Sequence, residues 1–207
     1  MGAALRALYR ALNEVRLNGY AYIWANVAFC VLCLPVVTAP AAFAALCRVS
    51  HEISIRPWEA DLALFWESFR ENLWRAMPWG LAHAVFLVVN ITNLSTYAGR
   101  PEPIWVLLRV LWWSASFMWW GVFQYTWFIY AEMEQPSLWG ASRNALVMVL
   151  SNPFFTLTIC AAQMIVFVLS ILMPPTFALL TFGVTVAISS AAVQNRLADY
   201  RQTRTDT

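Results

Sequence analysis

The chain has 207 residues, of which 61 % are hydrophobic and 12 % charged, and its mean hydropathy is +0.59. A soluble domain carries about 25 % charged residues, so a water-exposed globule of this composition could not cover itself with polar surface; a soluble enzyme, a disordered tail protein and a nucleic-acid binder are excluded. All thirteen basic residues are Arg, and a net charge of +2 gives no pull toward a polyanion.

In chain order, the leader comes first. Within residues 1–17, Leu5, Leu8, Tyr9, Leu12 and Val15 oppose Arg10 and Glu14 at helical spacing, which predicts an amphipathic helix. The following apolar stretch ends in Leu34-Pro35-Val36-Val37-Thr38 rather than a small-residue cleavage site, so it does not read as a signal peptide. Met1-Gly2 is followed by Arg6 where an N-myristoylation signal needs Ser or Thr.

Residues 20–49 are too long for one straight span and short for two, and Pro35 and Pro40 interrupt them. The segment is either one kinked helix or a tight hairpin turning at Leu34–Pro40. Positive charge favours the hairpin. Cytoplasmic loops concentrate Arg, and a hairpin puts Arg6, Arg10, Arg16, Arg48, Arg56, Arg70, Arg75, Arg143, Arg196, Arg201 and Arg204 on one side. Arg100 and Arg109 alone then face the other. Both termini are expected in the cytoplasm, and the shorter second arm is expected to penetrate without fully crossing.

Residues 59–77 place Leu62, Phe65, Trp66, Phe69, Leu73 and Met77 on one stripe, opposite Asp61, Glu67, Glu71 and Arg75. This predicts a helix lying along the cytoplasmic face, with Glu67–Arg70 and Glu71–Arg75 spaced for ion pairs. Four spans follow from runs of roughly 20 apolar residues: Trp79–Ala98 and Ile104–Ala131, joined through Pro101 and Pro103, then Pro153–Met173 and Thr176–Gln194, joined through Pro174-Pro175. Between these pairs, Ser137–Ser151 reads as another surface helix, with Leu138, Trp139, Leu146 and Leu150 beside Arg143 and Asn144. Residues 195–207 form a cytoplasmic tail. The fold class is all-α: a polytopic helical membrane protein in one domain, with four clear spans, a Pro-broken N-terminal hairpin or kinked span, and two or three amphipathic interfacial helices. Surface helix plus hairpin occurs three times, and Trp66-x3-Arg70-x2-Leu73 aligns with Trp139-x3-Arg143-x2-Leu146.

Two of these segments carry a resemblance. Leu34-Pro35-Val36-Val37-Thr38, running on to Ala44-Ala45-Leu46, and Phe65-Trp66-Glu67-Ser68-Phe69-Arg70-Glu71-Asn72 resemble the first-hairpin motif and the Phe-x-x-Ser-Phe-Lys-x-Asn helix of the YesL-like family, bacterial membrane proteins of unknown function. Arg70 replaces the usual Lys, and Pro40 stands where the family commonly has Gly. The resemblance implies a helical protein of the cell membrane with no catalytic residues to import, and an accessory role in carbohydrate uptake.

Candidate chemistry is sparse. Cys30-x-x-Cys33 sits late in an apolar helix with no cation beside it and reads as packing; Cys47 and Cys160 read the same way. His83, within a span, has no second ligand at its depth and reads as a hydrogen-bonded structural residue. His51 is expected to be solvated at the cytoplasmic rim, and Glu132 and Glu134 to form a solvated cap. The sequons Asn90-Ile91-Thr92 and Asn93-Leu94-Ser95 fall inside a span and read as a polar helix face. Nucleophile-elbow, zinc-protease and P-loop signatures are absent, so no enzyme, metal or cofactor is expected.

Arg109 lies inside a span, where a charge calls for a functional hypothesis. Pairing outward from the Gly99–Pro103 turn brings it level with Asn93, with Asn90 one turn deeper, under Trp105 and Trp112. These three form the expected binding site, either a clasp for the hairpin or an anion or sugar-hydroxyl site. The expected partners are the bilayer and a membrane permease or a second copy, and no nucleic acid. The function expected is a non-catalytic accessory or scaffold protein of the cell membrane; the alternatives are a small-solute transporter and, less favoured, a membrane-embedded enzyme.

Overall fold

The computed structural model describes residues 2–205, with side chains through 202; Arg204's side chain and Met1 lie outside the described residues. The described residues hold helices and no strand. α1 (Gly2–Leu17) leads directly into α2 (Gly19–Cys33), which a 3-10 turn (Val36–Thr38) joins to α3 (Ala39–Ile55). α4 (Leu62–Asn72) precedes α5 (Met77–Tyr97) and α6 (Pro103–Ala131). α7 (Leu138–Ser151) precedes α8 (Pro153–Leu172). The one-turn α9 (Pro174–Thr176) runs through a π-helical turn (Phe177–Thr181) into α10 (Phe182–Thr205). Among the described residues, four segments are long and apolar enough to cross a membrane: Met77–Tyr97, Pro103–Ala131, Pro153–Leu172 and Pro174–Gln202.

Local chemistry explains most boundaries. Pro occupies the first turn of α3, α5, α6 and α8, where its missing N–H would have no intrahelical acceptor in any case. Gly99 ends α5 at φ +72°, a conformation that a Cβ would penalise. Ser137 caps α7 by accepting from the Gly140 N–H.

The segment 59–77 is not one helix. A 3-10 turn covers Pro57–Glu59, and α4 begins only after Asp61, whose carboxylate accepts from the Leu64 N–H at 2.8 Å. The Asp61 cap is what shortens the helix at its start, and at its far end it stops at Asn72. Its buried stripe is also rotated from the expected one. Phe65, Ser68, Phe69 and Asn72 face inward, while Leu62 and Trp66 are exposed. Neither Glu67–Arg70 nor Glu71–Arg75 forms an ion pair among the described residues.

α2 and α3 fold back on each other, with Phe29 edge-on to Phe43. The Thr38 hydroxyl holds the turn by donating to the carbonyls of Leu32 and Pro35. At 1.5 Å per residue, α2 is roughly 22 Å long, short of the roughly 30 Å hydrocarbon core. The tip residues Leu34 and Val36 are 80 % and 79 % exposed, an arrangement tolerable in lipid and costly in water.

The three surface-helix-plus-hairpin units close into a ring. α4 packs on α3, α7 on α6, and α1 returns to pack on α10; α3, α6 and α10 also meet one another at the centre. The amphipathic helices therefore turn their apolar faces onto the second arms of hairpins. Each first arm likewise leans on the second arm of the preceding hairpin. Gly183 sits against Tyr22, Gly121 against Thr156, and Gly80 against Pro40.

The internal register differs from the one expected. Buried Phe65, Ser68 and Phe69 of α4 correspond to buried Ala145, Met148 and Val149 of α7. Asn72 then matches Asn152, and in the first unit Asn18. Each of these three Asn donates its amide to the carbonyl four residues back: Asn18 to Glu14 at 3.2 Å, Asn72 to Ser68 at 2.8 Å and Asn152 to Met148 at 3.5 Å. The Trp66/Trp139 alignment misses this register by two helical turns; it pairs surface residues, whose identity packing does not constrain.

Polar side chains tie the core together. Asn26, fully buried, donates to the carbonyls of Phe177 and Ala178 and accepts from the Gly183 N–H at 2.9 Å. It thus ties α2 to the backbone of the π-helical turn and the start of α10. Gln163 donates to the Thr185 carbonyl and the Ser189 hydroxyl, and accepts from Trp120 Nε1 at 3.3 Å; Ser189 in turn donates to Gln124.

Candidate binding groove between α3, α4 and α6

The residues singled out from sequence do not assemble as expected. Asn90 turns to α6, donating to the Ser116 hydroxyl at 2.8 Å and the Trp112 carbonyl. Asn93 turns back on its own helix, donating to the Val89 carbonyl while its Oδ1 accepts from Tyr97. Arg109 reaches the turn, donating to the Arg100 carbonyl at 3.2 Å, and Arg100 lies over the Trp105 ring. The Arg109–Asn93 pocket is therefore not formed. Three residues turn a helix through about 300°, and the remaining 60° suffices to give Asn93 different neighbours from Asn90. The clasp of this hairpin is Asn90 with Ser116.

His83 sits among Trp79, Trp119 and Phe123. Its Nδ1 lies 2.6 Å from the Trp79 carbonyl, which can only accept, so Nδ1 carries the proton. Cys30 and Cys33 are unbridged. Among the described residues no group of three or more His, Cys, Asp or Glu is placed to hold a metal ion.

The ends of α3, α6 and α10 gather charge. His51 is not solvated; it is buried, with Nε2 3.9 Å from Glu132. Glu132 is no free cap either, since Arg201 reaches it at 2.8 Å. Buried Glu52 lies between Arg56 at 2.8 Å and Arg48 at 3.7 Å. Sequence reasoning placed His51 and Glu132 in water because it could not see three helix ends converge. Burial, the largest influence, pushes the His51 imidazole below its usual 6.5; Glu132 opposes this and Arg48 adds to it. The folded chain thus takes up this proton later than the unfolded one. The His51 contribution is complete above about pH 6.5 and is lost as pH falls below it. Unfolding midpoints in detergent should drop between pH 7.5 and 5.5, and His51→Gln should flatten the drop; equal slopes for both proteins would remove His51 as the cause.

Beside this cluster lies a groove of about 280 Å³. Ala44 and Arg48 of α3 form one wall, Glu67, Ser68, Glu71 and Asn72 of α4 the second, and Trp127 and Tyr130 of α6 the third, with Arg75 at the edge. The fold positions these groups simply. Phe65 and Phe69 anchor α4 inward, Phe65 meeting Trp24 edge-on at 6.4 Å. That rotation brings Ser68 and Asn72 to the groove floor. Asn72 is 9 % exposed; its amide nitrogen is used by Ser68, but its Oδ1 is buried without a partner. Glu67, Glu71 and Arg75 have no ion pair among the described residues. The groove thus presents charges of both signs, with an unmet acceptor buried just beneath its lining. It was legible only as a motif: Ser68 and Asn72 belong to the stretch resembling the YesL-like helix, yet the charged positions read as a solvated face.

No curated protein and no solved structure matches the chain. From Tyr22 in α2 to Leu94 in α5, residues 22–94, which take in all of α4 and its side of the groove, the chain is similar to the uncharacterised family described as "Protein of unknown function, DUF624".

Proposed function

We propose that the protein is a non-catalytic accessory component of the cell membrane, and that the α3–α4–α6 groove docks a cytoplasmic segment of a partner membrane protein. The observation that carries this reading is the buried, unpartnered Oδ1 of Asn72, a residue lining a groove whose Glu67, Glu71 and Arg75 have no ion pair among the described residues. A buried acceptor left unmet costs about 1–3 kcal/mol, and a small turn of the Asn72 side chain toward the groove would let a backbone or side-chain N–H of a bound polypeptide recover it. Charges of both signs suit a peptide segment better than a simple anion. The polar residues of the interior favour this reading over a transporter: Asn26, Asn90, Gln124 and Gln163 spend their hydrogen bonds on the protein itself. The resemblance to the YesL-like family makes a carbohydrate permease the first partner to try. In this reading both termini and the groove face the cytoplasm, the side to which eleven Arg are assigned.

A photo-crosslinking residue at Glu67, in membranes of cells expressing the full chain, should give a discrete protein adduct identified as a membrane protein. The same group at lipid-facing Leu87 should not. Glu71→Arg or Asn72→Leu should cut the Glu67 adduct at least roughly fivefold, the loss expected for about 1 kcal/mol, with the chain still membrane-integrated. An adduct unaffected by both substitutions, or equal from Leu87, overturns the proposal.

A further inference from the structure

Farther along α6, a second and larger cavity of about 650 Å³ opens between α5, α6 and α7. Its wall is almost wholly apolar: Ala82 and Phe86 from α5, Ala115, Met118 and Val122 from α6, and Leu146 from α7. Its size is that of a site for a small organic ligand. One charged side chain lines it, Arg143, which has no ion pair or hydrogen bond among the described residues. One turn away on α7 is Trp139, also in the lining and 82 % exposed.

The placement of these two residues decides the occupant. α5 is roughly 32 Å long at 1.5 Å per residue, the thickness of a bilayer's hydrocarbon core. α6 is roughly 12 Å longer, so its inner turns extend past that thickness. α7 lies along those turns: Gly121 touches Val149, and Thr126 is 3.5 Å from Ser142. Arg143, next to Ser142, therefore stands where the hydrocarbon ends, and the cavity runs from it along the lipid-facing part of the α5–α6 hairpin. Exposed Trp at that level suits headgroups. An unpaired guanidinium above an apolar trough is complementary to a molecule with an anionic phosphate head and a hydrocarbon tail, since Arg binds phosphate through two parallel N–H bonds.

We propose that this cavity is a binding site for an anionic phospholipid of the inner leaflet, with the phosphate on Arg143 and an acyl chain between Ala82, Ala115 and Met118. The site is separate from the α3–α4–α6 groove and does not depend on what that groove binds.

The test uses the full chain in phosphatidylcholine vesicles holding a minor share of phosphatidylglycerol. A diazirine on the acyl chain of either lipid is photolysed, and the labelled peptides are mapped. The phosphatidylglycerol probe should label the peptide around Ala115–Val122 about fivefold more than the phosphatidylcholine probe, the factor one interfacial cation supplies. Arg143→Gln should bring the two probes to parity, and Arg143→Lys should keep most of the preference. Ala115→Phe, which fills the trough from a lipid-facing position, should reduce labelling by both. Equal labelling by the two lipids in the unmodified protein, or a preference that survives Arg143→Gln, overturns the proposal. So does labelling spread evenly over α5, α6 and α8.

Discussion

Gly121→Leu should cost about 1–3 kcal/mol of stability, the range for overpacking a filled interior. Even a bare Cβ at this position would stand 2.6 Å from Val149 Cγ2 and 3.3 Å from Thr156 Cγ2. Val149 is buried and β-branched, with little rotamer freedom to yield. Replacing Gly in a helix ordinarily gains about 1 kcal/mol, so the sign at Gly121 is decided by the clash. Gly19→Ala is the control, because nothing lies within 4 Å of its Cβ position. Thermal unfolding in detergent should fall for the first and stay level or rise for the second. A stable Gly121→Leu protein would mean that α6, α7 and α8 do not meet closely, and would undo the ring of packed units with it.

The second large effect is expected at Gln163. Gln163→Leu removes an acceptor from Trp120 Nε1 and donors from the Thr185 carbonyl and the Ser189 hydroxyl. Orphaned buried groups cost about 1–3 kcal/mol, although hydrogen bonds between membrane helices average only about 0.6 kcal/mol. The Trp120 N–H loses its acceptor, while the Thr185 carbonyl keeps the Ser189 hydroxyl as a donor, so a loss of about 1–2 kcal/mol is expected. Ser189→Ala should cost less, since Gln124 retains Cys160 as a partner for its amide. In the double variant the losses should be less than additive, as for residues in one network. Additive losses would show that Gln163 and Ser189 act independently.

The sequence alone determined the class of protein, its four long apolar helices and most of their ends. These features are one-dimensional. A run of apolar residues either does or does not match the bilayer, and Pro78, Pro103 and Pro153 each mark the first turn of a helix wherever it packs. What only the tertiary structure decided depends on rotation about helix axes and on contacts between distant segments. Asp61 rather than Glu59 starts α4 because a side-chain bond to Leu64 competes with an earlier helical turn. Phe65 and Phe69, not Leu62 and Trp66, face inward because Trp24 and α3 wait on that side. Arg109 and Asn93 miss each other for the same rotational reason. The equivalence of Asn18, Asn72 and Asn152 is hidden because their neighbours share burial but little identity. His51 and Glu132 looked solvated because each ends an apolar stretch; the convergence of α3, α6 and α10 buries His51 and gives Glu132 its partners. Closure of α1 onto α10 joins the two ends of the chain, and helical periodicity within any single segment carries no information about so long a contact.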